Sequence, residues 1–442
     1  MTTPIAGFVR AYAASGTARL HMPGHKGVGP TGCEQVDITE IHGADDLSCP
    51  EGIIAESEDN ASALFASRHT FYSTGGSSQC VKAMLLLCAR RSQSRVILAA
   101  RNAHKSFIHA CALLDLLPEW LYPDGGAGSL CACPVTPEAL RRALDELSER
   151  PCAVYITSPD YLGGMQDVAA LSTVAHEYGV PLLVDNAHGA YLRFLPRDSH
   201  PISLGADLCC DSAHKTLGAL TGGAYLHVSP ASAWDFESDA REALTVFGSS
   251  SPSYLIMQSL DLLNEHLAGS YRSELAACTE RLDALRAALG GMGVPVEDSD
   301  PLRLTIAAHR AGTTGFELAA ALRAHRVEPE FADRDYLVMM FTPDLDASAY
   351  ERVLAAFAGF APGACRAPMF LPSPGRRVLT PREALLARRE TVPVSEAAGR
   401  VIASAAVSCP PAIPVAVMGE ELTAEHAAAM AALGIEAVDV VR

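Results

Sequence analysis

The chain has 442 residues, of which 49% are hydrophobic and 19% charged, so it can bury a large core in two or three domains. Its formal net charge of −17 disfavours binding to nucleic acids and anionic membranes, and mildly favours small cationic ligands. No apolar run reaches membrane-spanning length, and the N-terminus lacks a secretory signal pattern. The chain has thirteen cysteines, and their spacing does not match a zinc site. We expect them to be buried free thiols in a reducing compartment. We therefore expect a cytoplasmic protein that does not enter a membrane.

The predicted elements change in character along the chain. Residues 1–60 are rich in Gly, Pro, Asp and His, which predicts an extended or irregular arm. Residues 61–255 alternate short apolar runs with helical stretches, a pattern typical of a mostly parallel sheet with crossover helices. The strands predicted here are residues 96–100, 153–157, 181–184 and 206–210, and a helix is predicted at 167–178.

Beyond residue 255 the pattern becomes mixed. Residues 256–365 predict a smaller α+β domain, and residues 366–442 a separate C-terminal segment. The expected elements are one long helix at 254–289, strands at 302–306 and 336–341, and a Pro/Gly-rich linker at 361–375. A capping box at 380–383, with Pro at the first helical position, predicts a helix through Arg389.

Lysine is rare, with four lysines against thirty arginines. Arginine cannot replace lysine where an amine must lose its proton and attack a carbonyl. Lys215 follows one predicted strand and Asp185 follows another, and the carboxyl ends of such strands are where ligands bind. This arrangement predicts a pyridoxal 5'-phosphate (PLP) site in which Lys215 bonds the cofactor and Asp185 pairs with its pyridinium nitrogen. Coding bias toward arginine would explain the scarcity of lysine, but not the surroundings of Lys215.

A Gly/Ser turn precedes the helix expected near residue 81. Its residues Gly76, Ser77 and Ser78 offer hydroxyls and backbone amides that suit a phosphate. Taken alone, such a turn is more often an ordinary helix cap. Ser212 and His214, close to Lys215, could donate to the same phosphate.

Two histidines follow predicted strands. His104 could stack on the pyridine ring, although a single histidine is otherwise commonly a satisfied surface residue. His188, three residues after Asp185, could support that carboxylate or shuttle protons. An Asp-x-x-His sequence could also suggest a metal site, but no carboxylate cluster accompanies it, so we predict no metal.

With these residues in place, the chain resembles the Orn/Lys/Arg decarboxylase family of PLP enzymes. The resemblance implies the fold-type-I, aspartate-aminotransferase-like α/β architecture, with a mostly parallel sheet in the large domain and a smaller α+β C-terminal domain. It also implies a short form that lacks the extra N-terminal domain of the long inducible enzymes. The motifs that carry it lie at residues 21–27, 37–41, 45–47, 50–52, 101–106, 185–188, 212–217, 249–254, 410–411 and 419–420.

The family resemblance implies roles for individual residues. It makes Lys215 the cofactor-bonding lysine, Asp185 the pyridinium partner and His104 the stacking ring. The phosphate would be held by Ser77, Ser78, Ser212 and His214, and Ser250 would reach the phosphate of a neighbouring subunit. The working unit would then be a homo-oligomer, either a dimer or a dimer of dimers.

The implied reaction is the decarboxylation of arginine, lysine or ornithine to the corresponding amine, in polyamine-type metabolism. Glu420 and Asp46 are candidate acceptors for the distal cation by motif membership alone, and each could equally be an ordinary acid.

The chain departs from the family pattern at Gly75, Gly218, Cys409 and Ala412, where Asn, Pro, an aromatic residue and Gly are usual. These departures leave the substrate open. An aminotransferase or a side-chain lyase would share every cofactor residue. A non-catalytic cofactor carrier or regulatory subunit is a further alternative, which the intact Lys215 disfavours.

Overall fold

The computed structural model describes residues 1–123, 128–369, 371–405 and 412–442, which divide into two compact units. Unit 1 comprises Met1–Ser92 and Val168–Glu274, and unit 2 comprises Gln93–Asp167 and Leu275–Arg442. Each unit is therefore discontinuous in sequence. The division of the chain into four consecutive domains, which the sequence suggested, stays a prediction.

The described residues form fourteen α-helices and twelve strands. The helices are α1 Pro4–Ala14, α2 Ile53–Phe65, α3 Gly76–Arg91, α4 Lys105–Leu114, α5 Pro137–Glu146, α6 Val168–Glu177, α7 Ala213–Thr216, α8 Glu237–Val246, α9 Tyr254–Ala268, α10 Tyr271–Gly291, α11 Gly315–Ala324, α12 Ala347–Ala356, α13 Pro381–Leu386 and α14 Ala424–Ala432. The strands are β1 His69–Ser73, β2 Val96–Ala100, β3 Leu117–Leu121, β4 Val154–Thr157, β5 Leu182–Asp185, β6 Leu208–Asp211, β7 Ala224–Val228, β8 Arg303–Ile306, β9 Phe331–Ala332, β10 Leu337–Met340, β11 Arg389–Pro393 and β12 Ala437–Val441.

In unit 1, four strands lie in the order β1-β7-β6-β5. Strands β5 and β6 are parallel, with Asp185 opposite Cys210, whereas β7 runs antiparallel to both of its neighbours. All four residues of β5 and of β6 are buried, as expected for strands covered on both faces. The carboxyl ends of β5 and β6 therefore lie at one edge of the sheet.

In unit 2, β2 pairs in parallel with β4 on one side and β3 on the other. Strands β8, β10 and β9 form a small antiparallel sheet, and β11 pairs with β12. The two-stranded sheet lies beside an apolar cluster that includes Ile402, Met430 and Val440. Unit 2 thus combines parallel strands with smaller antiparallel sheets.

Most predicted strands are confirmed within two residues of their bounds, as is the helix now described as α6. The single long helix predicted at 254–289 is wrong, because two helices, α9 and α10, cover this stretch. Gly269 ends α9, where its N–H donates to the Glu265 carbonyl at 3.1 Å. The predicted irregular arm also needs correction, because it contains α1 and most of α2.

The capping box at the start of α13 is confirmed, with the side chain of Thr380 accepting from the Glu383 N–H at 3.1 Å. The helix is shorter than predicted, ending at Leu386, because Arg389 already pairs with Val441 in the β11–β12 sheet. Among the described residues, no helix is both long and apolar enough to cross a membrane.

Candidate active site

Asp185 is the last residue of β5 and is only 4% exposed. Its Oδ1 accepts the N–H of Ala187 at 3.2 Å and the thiol of Cys210, across the strand pair, at 3.6 Å. These contacts hold one oxygen of a buried carboxyl at the edge of the sheet. A buried carboxylate in such a place is suited to pair with a cationic ring nitrogen.

Lys215 and His188 lie together at the same edge. Lys215 belongs to the short helix α7, which follows β6, and His188 lies in the turn that follows β5. The distance from Lys215 Nζ to His188 Nε2 is 3.0 Å. Because one proton can be shared along this contact, the pair can exchange a proton during a reaction. The structure therefore brings together two residues that the sequence predicted as catalytic.

The predicted phosphate-binding turn opens α3. Gly76 has φ of 70°, in the left-handed region that favours glycine, and a Cβ built on it would meet no atom within 4 Å. Gly75, the N-cap residue, has no side chain, and its own N–H donates to Gln79 Oε1 at 3.0 Å, so an ordinary helix cap remains an alternative to a phosphate site. The hydroxyl of Ser212 donates to that of Ser77 at 2.9 Å. Two of the predicted phosphate ligands thus meet at a helix N-terminus, a setting that favours anions.

His214 is oriented by its backbone neighbour. Its Nδ1 lies 3.0 Å from the carbonyl oxygen of Gly223, so this nitrogen carries a proton and donates. Burial, followed by the charge of Lys215, lowers the pKa of His214. Its Nε2 can donate to a phosphate only in the protonated form of the ring, which a bound phosphate would itself favour. His214 can therefore act as a phosphate donor only when a bound phosphate keeps its ring protonated.

His104 lies in unit 2, as the residue that precedes α4. Its Nδ1 accepts the N–H of Ser106 at 3.1 Å and lies 2.8 Å from the Ser106 hydroxyl. The ring therefore caps a helix that starts just after β2. Its stacking on a cofactor stays a prediction.

Ser250 and Asp46 line one cavity of about 390 Å³ in unit 1, together with Glu40 and Gln79. Ser250 is exposed in the single chain. A residue that serves a neighbouring subunit needs such exposure. Arg241 also lines this cavity, but its guanidinium pairs with Glu58, so the acidic side chains of Glu40 and Asp46 leave a surface suited to a cationic ligand.

Glu420, the other predicted acceptor for a cation, lies in unit 2 and is buried. Its Oε2 accepts the N–H of Val417 at 2.8 Å. Burial raises the pKa of the Glu420 carboxyl, while the nearby charges of Arg101 and Arg377 oppose this shift. Those two cations make Glu420 a weaker candidate than Asp46. The predicted motif at 410–411 and the departure at Cys409 lie outside the described residues.

A buried network behind β5 and β6 was missed by the sequence reasoning. The Asn186 side-chain amide donates to Asp211 Oδ1 at 2.7 Å, and His200 Nε2 and His227 Nε2 lie 2.9 and 3.1 Å from Asp211 Oδ2. Burial raises the pKa of Asp211, but the two imidazoles outweigh it and hold the pKa below its usual range. The available signal was the presence of Asn186 and Asp211 at the ends of two apolar runs.

This network joins the two turns that carry the site. Asn186 lies between Asp185 and His188, and Asp211 lies just before Ser212. The side chains of His200, Cys209 and Asp211 lie close enough together to surround a metal ion. However, both oxygens of Asp211 already accept hydrogen bonds, so we interpret the cluster as a structural clamp.

Comparisons with known proteins identify the family of this chain. The Orn/Lys/Arg decarboxylase major domain matches residues 3–292, and the C-terminal domain of the same family matches residues 368–435. The architecture is that of fold-type-I PLP enzymes. The chain belongs to the Orn/Lys/Arg decarboxylase family.

An arginine decarboxylase of Bacillus subtilis (strain 168) is 29% identical over 458 residues, which cover 96% of this chain and 92% of the relative. The solved constitutive lysine decarboxylase of E. coli matches with a TM-score of 0.81 and 18% identity, covering 100% of this chain and 82% of that one. Serine palmitoyltransferase of Sphingomonas wittichii matches with a TM-score of 0.56 and 14% identity, over 81% of this chain and 82% of its own.

The comparisons confirm three sequence predictions: the family, the fold class, and an enzyme class that decarboxylates basic amino acids. PLP is the cofactor that this family implies. The residues of unit 1 fit it, because an amine, a buried carboxylate, and serine hydroxyls at a helix N-terminus are the groups that such a cofactor requires.

Proposed function

We propose that this protein uses PLP to convert a basic amino acid into its amine and carbon dioxide, with arginine as the first candidate substrate. The observation that carries the proposal is the placement of the Lys215–His188 pair and buried Asp185 at the ends of adjacent parallel strands. The cofactor, when bound, supplies an electron sink for the bond that releases carbon dioxide.

Each residue has a role that its geometry supports. Lys215 would hold the cofactor through its amine. His188, at 3.0 Å from Nζ, accepts a proton from that amine or returns one, so the pair can supply the proton that replaces the carboxylate. Asp185 would keep a ring nitrogen of the cofactor protonated, and Ser77 and Ser212, near the start of α3 and the end of β6, would hold its phosphate.

Arginine is favoured because the relatives with the greatest coverage include arginine decarboxylases. The distal cation needs a carboxylate, and Glu40 and Asp46, which line the cavity beside Ser250, are the acceptors that we propose. We further propose a homodimer in which Ser250 serves the phosphate of the partner subunit. A cytosolic role in polyamine-type metabolism completes the proposal, since the described cysteines are free thiols.

A product assay tests the reaction. Arginine, lysine and ornithine are incubated separately with the PLP-loaded protein, and carbon dioxide and amine are both measured. We expect equal amounts of the two products from one of these substrates. Formation of a keto acid without carbon dioxide would instead identify an aminotransferase, and the absence of any turnover would support a non-catalytic cofactor carrier.

Borohydride reduction tests the assignment of the lysine. Reduction of the PLP-loaded protein followed by peptide mapping should place the cofactor on the peptide that contains Lys215. The Lys215→Ala variant should lose turnover, whereas Lys82→Ala, on α3, should keep both label and activity. Labelling of Lys26 or Lys105 would contradict the assignment.

Asp185→Asn tests the pyridinium partner. The amide keeps the shape of the side chain but cannot hold the ring nitrogen protonated, so turnover should fall by at least about 100-fold while the fold is kept. Steady-state rates and melting temperature, measured on the same preparation, separate loss of chemistry from loss of structure. Near-normal turnover would rule out this role for Asp185.

A further inference from the structure

Unit 2 contains a cavity of about 670 Å³ that none of the roles above uses. Its volume lies within the range of about 300–1,000 Å³ that is usual for small-molecule sites. Most of its lining is apolar, with Leu130, Met369, Leu371 and Pro372 among the residues on its wall. Three nitrogen-bearing side chains, Arg101, Asn102 and His426, interrupt this apolar surface, and the Asn102 amide already donates to the Cys131 carbonyl at 3.1 Å.

Arg101 is held in place without being neutralised. Its Nη2 donates to the Val415 carbonyl at 3.0 Å, and its guanidinium lies over the ring of Trp120, 5.3 Å from the centroid. Arg101 interacts through its charge with the Glu420 carboxyl, which lowers the pKa of that carboxyl against the larger, raising effect of burial. Within the described ranges, no ion pair shorter than 4 Å joins Arg101 to a carboxylate. A guanidinium that is oriented beside an apolar wall and has no direct ion pair attracts an anion.

The tautomer of His426 follows from its hydrogen bonds. His426 is the third residue of α14, and its Nδ1 lies 3.2 Å from the Thr423 backbone nitrogen and 2.8 Å from the Thr423 hydroxyl. The backbone N–H can only donate, so Nδ1 accepts and the ring proton sits on Nε2. Burial, followed by the charge of Arg101, lowers the pKa of His426, which keeps the ring neutral. Nε2 therefore presents an N–H donor on the side of the ring that points away from Thr423.

The helix cap does not by itself require histidine. The two other capping boxes in the described part of the chain, at Thr314–Glu317 and Thr380–Glu383, use glutamate at the same position. Glutamate accepts the same backbone N–H and is the usual partner in this motif. The difference at His426 is that its ring has a second nitrogen, Nε2, on a residue that lines the cavity.

We propose that this cavity binds a small organic anion, with its carboxylate or phosphate group between Arg101 and His426 and its apolar body against the proline- and leucine-lined wall. No carboxylate lines the cavity among the described residues, and Tyr122 adds a hydroxyl. The charge preference is opposite to that of the distal group of a basic amino acid. The ligand is therefore distinct from the cationic side chain of the substrate.

Calorimetric titration of the PLP-loaded protein tests the charge preference. Sodium octanoate and octyl phosphate carry the two candidate anionic groups on one apolar chain, and octylammonium carries the opposite charge. We expect at least one of the two anions to bind with a dissociation constant below about 10 mM, and octylammonium to bind at least about 10-fold more weakly. The tighter of the two anions identifies the preferred group. Failure of both anions to bind, or equal binding of octylammonium, would overturn the proposal.

Two variants locate the ligand. Arg101→Gln removes the cation, and His426→Glu keeps the helix cap but replaces the donor with an acceptor. Each should weaken binding by at least about 10-fold, as expected for loss of a hydrogen bond to a charged group. Arg352→Gln, an exposed position on α12 outside the cavity, is the matched control and should bind normally. Unchanged binding by a folded His426→Glu protein would overturn the site even if Arg101→Gln did not fold.

Discussion

Ala412 adopts a backbone conformation that suits glycine better than alanine. Its φ is 60°, and its carbonyl accepts the Lys105 N–H at 2.9 Å, so the residue is held there by a neighbouring segment. A Cβ in this left-handed region costs about 1 kcal/mol or more. The position is also one where the family usually has glycine. The departure noted in the sequence therefore has a physical cost in the structure.

We expect Ala412→Gly to increase the free energy of unfolding by up to about 1 kcal/mol, because relief of strain outweighs the added freedom of the unfolded chain. Ala431→Gly, at an exposed site on α14, should instead lower it by about 1 kcal/mol. Denaturant titrations of the two variants should therefore shift in opposite directions. A decrease for Ala412→Gly would show that the left-handed conformation is not strained.

Asp160 makes stability depend on pH. Burial, which outweighs two backbone N–H groups and Arg303, raises the pKa of its carboxyl to about 6. The folded protein thus prefers the protonated form, and this contribution to stability is present in acid and lost as pH rises from about 4 through 6. The Oδ1 atom accepts from Leu162 and Gly164, both at 2.9 Å, and asparagine can keep these two bonds.

Asp160→Asn should flatten the pH dependence of stability. Between about pH 4 and pH 7, the free energy of unfolding of the variant should rise relative to that of the parent by roughly 2 kcal/mol. Denaturant titrations at several pH values, compared as differences between the two proteins, remove the contribution of histidines common to both. A constant difference across this range would contradict the raised pKa.

A side-chain hydrogen bond from Asn186 to Asp211 joins the ends of strands β5 and β6. The carboxylate of Asp211 accepts from Asn186 through Oδ1 and from His200 and His227 through Oδ2. An amide at position 211 would place its own N–H groups against at least one of these donors. The same bond links the turn that carries His188 to the start of α7, the helix that carries Lys215.

Asp211→Asn should therefore lower the free energy of unfolding by about 3 kcal/mol, as for other broken buried charge networks. The double variant Asn186→Asp with Asp211→Asn exchanges donor and acceptor, so position 211 can donate to position 186 and still accept from both histidines. It should recover most of the loss. Thermal or denaturant unfolding of the three proteins measures this recovery, and additive losses in the double variant would contradict the clamp.

The sequence predicted elements whose signal is local. Strands β2, β4, β5 and β6 are short apolar runs, and Asp185 and Lys215 stand at or just beyond the ends of two of them. The break at Gly269 was missed because apolar residues continue at helical spacing on both sides of it. The Asp211 network was missed because its partners His200 and His227 come from separate turns and strands, which only the folded chain brings together.

Binding features also differ in whether they have a local signal in the sequence. A motif identified Ser250 as a residue for a neighbouring subunit, and the structure leaves it exposed on a cavity that also contains acidic side chains. The cavity bordered by Arg101 and His426 had no local signal, because about 325 residues of sequence separate these two side chains. Properties that arise from distant residues need the fold before they can be predicted.

In the proposed dimer, each active site would draw residues from both chains. If Ser250 serves the phosphate site of the partner subunit, each active site needs Lys215 from one chain and Ser250 from the other. Chains that carry only Lys215→Ala and chains that carry only Ser250→Trp should each be inactive. A mixed dimer would hold one site with both defects and one site with neither.

Mixing equal amounts of the two inactive chains under conditions of proven subunit exchange should restore about a quarter of the parental activity for random pairing into dimers with independent sites. Light scattering on the same samples measures the assembly, and chains of Lys215→Ala mixed with themselves provide the control. A fully active monomer would refute the shared site. Full exchange without any recovery would show that Ser250 acts within its own chain or not at all, since both defects would then fall on separate sites in every mixed dimer.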